Sequence, residues 1–132
     1  MSKRGPRRPR SSQVEYQNDN LLRVIEQMGA ALRVAGQLFS QGAPAEESID
    51  ATNQALGLAV DLPADLFVRM SPQSMVSLLE VSSSDDRIVA KIAEALMLQS
   101  DVLMAEGCLI DAGVRRDQAN AVLEFIDPAR AN

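Results

Sequence analysis

From Tyr16 almost to the end of the chain, apolar residues return at three- and four-residue intervals, and no stretch alternates as a half-buried strand does. Ala, Leu, Met, Glu and Gln dominate, so propensity agrees with the period. A first helix is expected from a cap at Asn18 or Asp19, with Leu21, Leu22, Ile25, Met28, Leu32, Ala35, Leu38 and Phe39 inward and Gly42 as terminator. Pro44 suits the first turn of a second helix, whose start carries Glu46, Glu47 and Asp50 where the dipole favours carboxylates. Ile49, Leu56, Ala59 and Val60 form its inner stripe, and Leu62-Pro63 closes it.

A short third helix is expected over Ala64 to Met70, with Leu66, Phe67 and Met70 inward. Ser71-Pro72 opens a fourth, which buries Met75, Leu78 and Leu79. After Ser82, Ser83 and Ser84, with Ser84 the expected cap, the fifth helix is the most apolar and therefore central; its pattern runs through Ile88, Ile92, Leu96, Leu103, Leu109 and Ile110 to Gly113. Unbroken it would be roughly 42 Å long at 1.5 Å per residue, so a bend is expected near Gln99 to Asp101 or at Gly107. The last helix is expected from Arg115 to Ile126, burying Ala119, Val122, Leu123 and Ile126. The fold class that follows is all-α, about six helices in antiparallel hairpins.

Two seven-residue segments repeat a pattern. Residues 36–42 (Gly-Gln-Leu-Phe-Ser-Gln-Gly) and 107–113 (Gly-Cys-Leu-Ile-Asp-Ala-Gly) both close an apolar helix. In this reading Gly36 and Gly107 admit a close neighbour, while Gly42 and Gly113 end their helices. The second hairpin resembles a tetratricopeptide repeat, with Leu103, Gly107 and Ile110 at the spacing of that motif's first helix and Ala119 and Leu123 at that of its second. Aliphatic residues occupy its usual aromatic positions, and one unit is fewer than a solenoid needs. Tyr16 to Gln27, Ser71 to Leu79 and the closing hairpin together resemble an uncharacterised bacterial family of small all-helical proteins, a domain of unknown function. The resemblance spans roughly residues 14–127 and implies a helical, cytoplasmic protein, with no activity attached.

Composition narrows the chemistry. The chain of 132 residues has the length of one domain and no histidine, which removes the commonest metal ligand and the usual general base near neutral pH. A single cysteine, Cys108, allows no intramolecular disulfide and reads as a small buried hydrophobe. No segment approaches the roughly 20 apolar residues of a membrane span, and no hydrophobic signal region follows the basic start. A cytoplasmic location is expected.

Charge is divided unevenly. Lys3, Arg4, Arg7, Arg8 and Arg10 stand among Gly5, Pro6 and Pro9 with no acid, so residues 1–13 read as a disordered basic arm ahead of one helical domain, residues 14–132. The rest of the chain holds 8 of the 13 basic residues and all 18 acidic ones, an acidic body. Only the arm offers contact to nucleic acid or an anionic surface, through phosphates and without base stacking, since no aromatic is interleaved.

Other candidates have plainer explanations. Glu46, Glu47, Asp50, Asp85 and Asp86 sit at helix starts, and Lys91 lies three residues from Glu94, the spacing of a surface ion pair. Met28, Met70, Met75, Met97 and Met104 suit a core or an adaptable apolar surface, and Tyr16 with Arg23 could mark a surface contact. No catalytic, cofactor-binding or metal-ligating residue is assigned. The expected function is a non-enzymatic protein-interaction module, with another protein or a second copy as partner and a homodimer as one form; the alternative is nucleic-acid or anionic-surface association through the arm.

Overall fold

The computed structural model describes the backbone of residues 4–127 and the side chains of residues 19–127. Six helices follow one another, α1 (Arg4–Ser40), α2 (Ala45–Ala59), α3 (Ala64–Phe67), α4 (Pro72–Val81), α5 (Asp86–Ala105) and α6 (Leu109–Ile126), with no strand among the described residues. The all-α class expected from periodicity is the class observed.

Helix α1 starts at Arg4, overlapping the segment read as a disordered arm, and not at Asn18 or Asp19. No glycine or proline lies between Arg10 and Asn20 to stop a helix that the apolar stripe establishes further on; Pro6 falls in the first turn, where it forfeits no intrahelical bond, while Pro9 lacks the amide that would bond the Gly5 carbonyl. The arm's cations, Lys3, Arg4, Arg7, Arg8 and Arg10, lie outside the residues whose side chains are described. Pro44 is the N-cap of α2, one place earlier than expected, with Glu46 and Glu47 in the first turn. Helix α3 stops at Phe67, and the chain continues through turns to Met70. Ser71 caps α4 as expected, its hydroxyl accepting from the Ser74 amide at 3.1 Å.

Three helices end on the same hydrogen-bond pattern. After α1 the amides of Ala43 and Gly42 donate to the carbonyls of Leu38 and Phe39; after α5 those of Cys108 and Gly107 donate to Leu103 and Met104; after α4 those of Ser84 and Ser83 donate to Leu79 and Glu80. Each is a Schellman motif, which requires a left-handed residue just past the helix. The residues there are Gly42 (φ 75°), Gly107 (φ 82°) and Ser83 (φ 53°), the last being the one non-glycine with positive φ among the described residues.

This corrects the reading of the repeat. Gly107, not Gly113, corresponds to Gly42, and the matching segments are Leu38-Phe39-Ser40-Gln41-Gly42-Ala43 and Leu103-Met104-Ala105-Glu106-Gly107-Cys108. The fifth helix breaks at Gly107, one of the two places where a bend was expected, and α6 starts six residues before Arg115. Gly113 lies inside α6 and terminates nothing. Gly36 admits no close neighbour either: a Cβ at Gly36 or Gly113 would meet nothing within 4 Å. Ser84 is not the cap of α5; Asp85 is, accepting from the Arg87 amide at 2.8 Å.

Helices α1 and α2 form one hairpin and α5 and α6 another, and α5 also packs against α1 and α2. The core is aliphatic around one aromatic: Phe67, Met28, Leu56, Met75, Ile92, Leu96, Val89 and Val122 are fully buried. At 1.5 Å per residue α2 covers about 22 Å, so it can pair with only part of the 37-residue α1, and among the described side chains the buried positions of α1 are Met28, Gly29, Leu32 and Ala35. Ala119, expected in the hairpin, is fully buried. Leu22 and Leu66, expected inward, are about half exposed.

Backbone sign and helix position predict opposite outcomes for glycine substitutions. Gly42→Ala and Gly107→Ala force Cβ into the left-handed region and should each cost about 1–2 kcal/mol. Gly36→Ala and Gly113→Ala replace helix-interior glycines in open space and should stabilise by roughly 0.5–1 kcal/mol, while Ser83→Gly should stabilise by up to about 1 kcal/mol. Urea midpoints of the five variants check the pattern.

Asp85 supplies a pH dependence. The hydrogen bond from the Arg87 side chain, then the one from its amide, holds the Asp85 carboxyl below its ordinary 3.8. A carboxyl depressed on folding contributes stability that is fully present above 3.8 and is lost as pH falls through the lower folded value. The stability difference between the wild type and Asp85→Asn should therefore be constant from pH 7 to about pH 5 and shrink below pH 4. Chemical denaturation at stepped pH measures it.

Candidate functional site

The chemistry that the fold assembles is a buried polar chain linking α2, α5, α6 and the turn after α3. At its centre Gln99 of α5 is only 2% exposed. Its Nε2 donates to Thr52 Oγ1 at 2.8 Å and to Asn53 Oδ1 at 2.7 Å, both on α2. Its Oε1 accepts from Arg115 Nε of α6 at 3.0 Å. Arg115 Nη1 goes on to the Val68 carbonyl at 3.0 Å and to Gln118 Oε1 at 3.3 Å. Gln118, fully buried, donates from Nε2 to Val68 O at 2.8 Å and Met70 O at 2.9 Å. Thr52 completes the chain by donating to the Ile49 carbonyl at 2.7 Å.

Both glutamines sit on apolar stripes. Gln99 follows Ile92 and Leu96 along the inner face of α5, and Gln118 precedes Val122 by one turn of α6. Burying a carboxamide is tolerable because its donors and acceptor all find partners. Gln118 and Arg115 satisfy carbonyls left open where α3 ends, and a cation there also complements the dipole of the short helix. Arg115 is half-buried, and that burial pulls its pKa below the ordinary value, with the nearby Asp111 pulling the other way. Neither of the two ion pairs among the described residues, Arg87 with Asp85 and Lys91 with Glu94, includes Arg115.

Sequence reasoning missed this chain of contacts. It treated Gln99 as the neighbourhood of a bend and Arg115 as a helix start. The available signal was position: a glutamine three residues beyond Leu96 and another four residues before Val122 both fall on buried stripes.

A second feature is the α5–α6 turn. Leu109 and Ile110, expected inside the fifth helix, are 62% and 85% exposed, because the break at Gly107 turns them out as the first residues of α6. Met104 and Val114 are also exposed beside them in sequence. Cys108, expected buried, is exposed as the N-cap of α6 for the same reason. Lys91 and Glu94 pair at 3.5 Å as their spacing implied. Met28 and Met75 are core residues, Met70 and Met97 are partly buried, and Arg23 is exposed, while Tyr16 lies outside the described side chains. No group of three or more acidic or cysteine ligands gathers among the described residues. None of their helices is long and apolar enough to cross a membrane. Gly36 lines a groove of about 460 Å³ with Met97, Leu98 and Leu123, which is why a Cβ there meets nothing.

Replacing Gln99 by leucine would strand the Arg115 Nε donor, and replacing Gln118 by leucine would leave the Met70 carbonyl without its side-chain donor. Each change should cost about 1–3 kcal/mol, more than the gain from the added apolar surface. Denaturant midpoints at unchanged m-value check this.

The chain matches no family model, no curated protein and no solved structure.

Proposed function

We propose that the chain is a non-enzymatic protein-interaction module whose contact surface is the α5–α6 turn. The observation that carries this reading is the exposure of Leu109 and Ile110, with Met104 and Val114 beside them. A hairpin needs none of these four to close, because the Schellman motif at Gly107 does that with backbone bonds. Apolar side chains gathered at an exposed tip, away from the buried core, suit burial against another protein, and either a different chain or a second copy would serve.

The experiment is in-cell cross-linking of the full chain after nuclease treatment, comparing wild type with Ile110→Asp. The substitution leaves the fold intact, since Ile110 is 85% exposed and an acid at a helix start is favourable. Cross-linked partner should fall at least about fivefold, the scale of a 1 kcal/mol contact loss. Light scattering on the same pair of proteins separates self-association from a foreign partner. Equal cross-linking by both proteins ends this reading. The five cations of the arm support a second one, association with nucleic acid or an anionic surface; with nuclease omitted, glutamine at Lys3, Arg4, Arg7, Arg8 and Arg10 should then abolish the fraction that nuclease removes from the wild type.

A further inference from the structure

Along one face of α1 a knob and a hollow stand at equal distances from a glycine. Leu22, Gly29 and Gly36 follow one another at seven-residue spacing, which keeps them within about 40° around the helix. Leu22 is 48% exposed, an apolar side chain outside the core. At Gly36, about 21 Å further along, a Cβ would meet nothing within 4 Å, and the groove of about 460 Å³ there is walled by Leu32, Met97, Leu98 and Leu123. Gly29 lies midway, with no side chain to hold a second helix off.

Two exposed charges of opposite sign border the same face. Glu26 precedes Gly29 by three residues and Arg33 follows it by four, both about 40° to one side of the row. Neither belongs to the two ion pairs among the described residues, and Arg33 Nη1 lies 3.6 Å from where a Cβ of Gly29 would be. An antiparallel pair of α1 helices with its two-fold axis at Gly29 sets each Leu22 opposite the partner's Gly36. The same axis brings Glu26 within one residue of the partner's Arg33, and the reverse, as an isologous contact requires.

We infer that this face of α1 binds a second copy of the chain, antiparallel about Gly29, with Leu22 of each copy seated in the groove beside the partner's Gly36. Charge complementarity favours this occupant. Helix α2 runs antiparallel to α5, because Thr52 and Asn53 meet Gln99 while Val60 and Ser84 line one cleft; α1 therefore runs parallel to α5, and the turns at Gly42 and Gly107 share one end of the bundle. That end carries the exposed Glu46, Glu47, Glu106 and Asp111. In the antiparallel pair, α1 of the partner passes Ser40 at its own Asn18. Its remaining helix, Arg4 to Gln17, then extends about 21 Å past that acidic end. A segment carrying Arg4, Arg7, Arg8 and Arg10 is thus brought toward carboxylates of the other copy, whereas a parallel pair would set the two basic segments side by side.

Sedimentation of the full chain between about 1 and 200 µM is the test, and it should show a dimer with a dissociation constant on the order of 10 µM. Leu22→Asp, which would put a carboxylate into the groove, and Gly36→Leu, which fills the groove from within, should each weaken the dimer at least about tenfold with helicity by circular dichroism unchanged. Glu26→Arg and Arg33→Glu should each weaken it about fivefold, and the double reversal should return it to within about twofold of wild type. Spin labels on Gln41→Cys in a Cys108→Ser background should lie about 36 Å apart in the antiparallel dimer, against roughly 15 Å or less in a parallel one. A chain that stays monomeric, single variants that dimerise like wild type, a double reversal without recovery, or the short label distance overturns the inference. Leu109 and Ile110 lie outside this face, so a dimer lost in Ile110→Asp and kept in Leu22→Asp would place self-association at the α5–α6 turn and overturn it as well.

Discussion

The carboxamide of Gln99 is the constraint on which the relative placement of the helices depends. Aliphatic packing tolerates sliding and rotation, because one leucine can replace another against a smooth neighbour at small cost. A buried amide with both ends committed has no such freedom. Gln99 Nε2 requires Thr52 and Asn53 on α2, and its Oε1 requires Arg115 on α6, so one side chain sets the register of α2 and α6 on α5. Arg115 and Gln118 carry that register to the carbonyls of Val68 and Met70, which places Phe67 in the centre of the core. The polar chain therefore selects one packing among several that the aliphatic residues alone would accept.

Helix lengths are set by a different device, local and backbone-borne. A left-handed residue at position 42, 83 or 107 lets two amides fold back onto the last turn, ending the helix within a residue or two. At two of these positions glycine makes the conformation cheap. At the third, Ser83 carries the steric penalty of a Cβ, and the short α4 ends there all the same because Pro72 to Val81 supplies enough inner contacts through Met75 and Leu79. Terminators act on sequence-local geometry and polar contacts act across the bundle, so the two can be altered independently.

That division explains what could be read from the sequence. The class, the number of helices and the ends at Ser71-Pro72 and Gly42 were legible, because those residues act within a few positions of themselves; the caps expected at Asn18 or Asp19, Ser84 and Gly113 were not. The break at Gly107 was half legible. Apolar spacing continues unbroken through Leu109 and Ile110, so periodicity alone extends α5 to Gly113; only the match of Leu103-Met104-Ala105-Glu106-Gly107 to Leu38-Phe39-Ser40-Gln41-Gly42 shows where the chain turns. The consequence was that Leu109, Ile110 and Cys108 were placed inside when they are outside. The Gln99 contacts were the least legible, since their partners lie 46 and 47 residues away and a glutamine reads as surface by composition.

The two features that periodicity misjudged are neighbours on α6. Local rules and observed placement part company there. Leu109 and Ile110 continue an apolar period and yet face solvent; Arg115 begins as a helix-start cation and ends half-buried against Gln99 and the Val68 carbonyl. Both departures follow from the single event at Gly107, which starts α6 early enough to turn the first pair outward and to swing Arg115 over the end of α3. A chain with α5 running on to Gly113 would bury the aliphatic pair, as its pattern suggests, and would leave the Val68 carbonyl and the Gln99 Oε1 without the guanidinium. The break therefore supplies one part of the core's polar chain and, in the same turn, exposes Leu109 and Ile110.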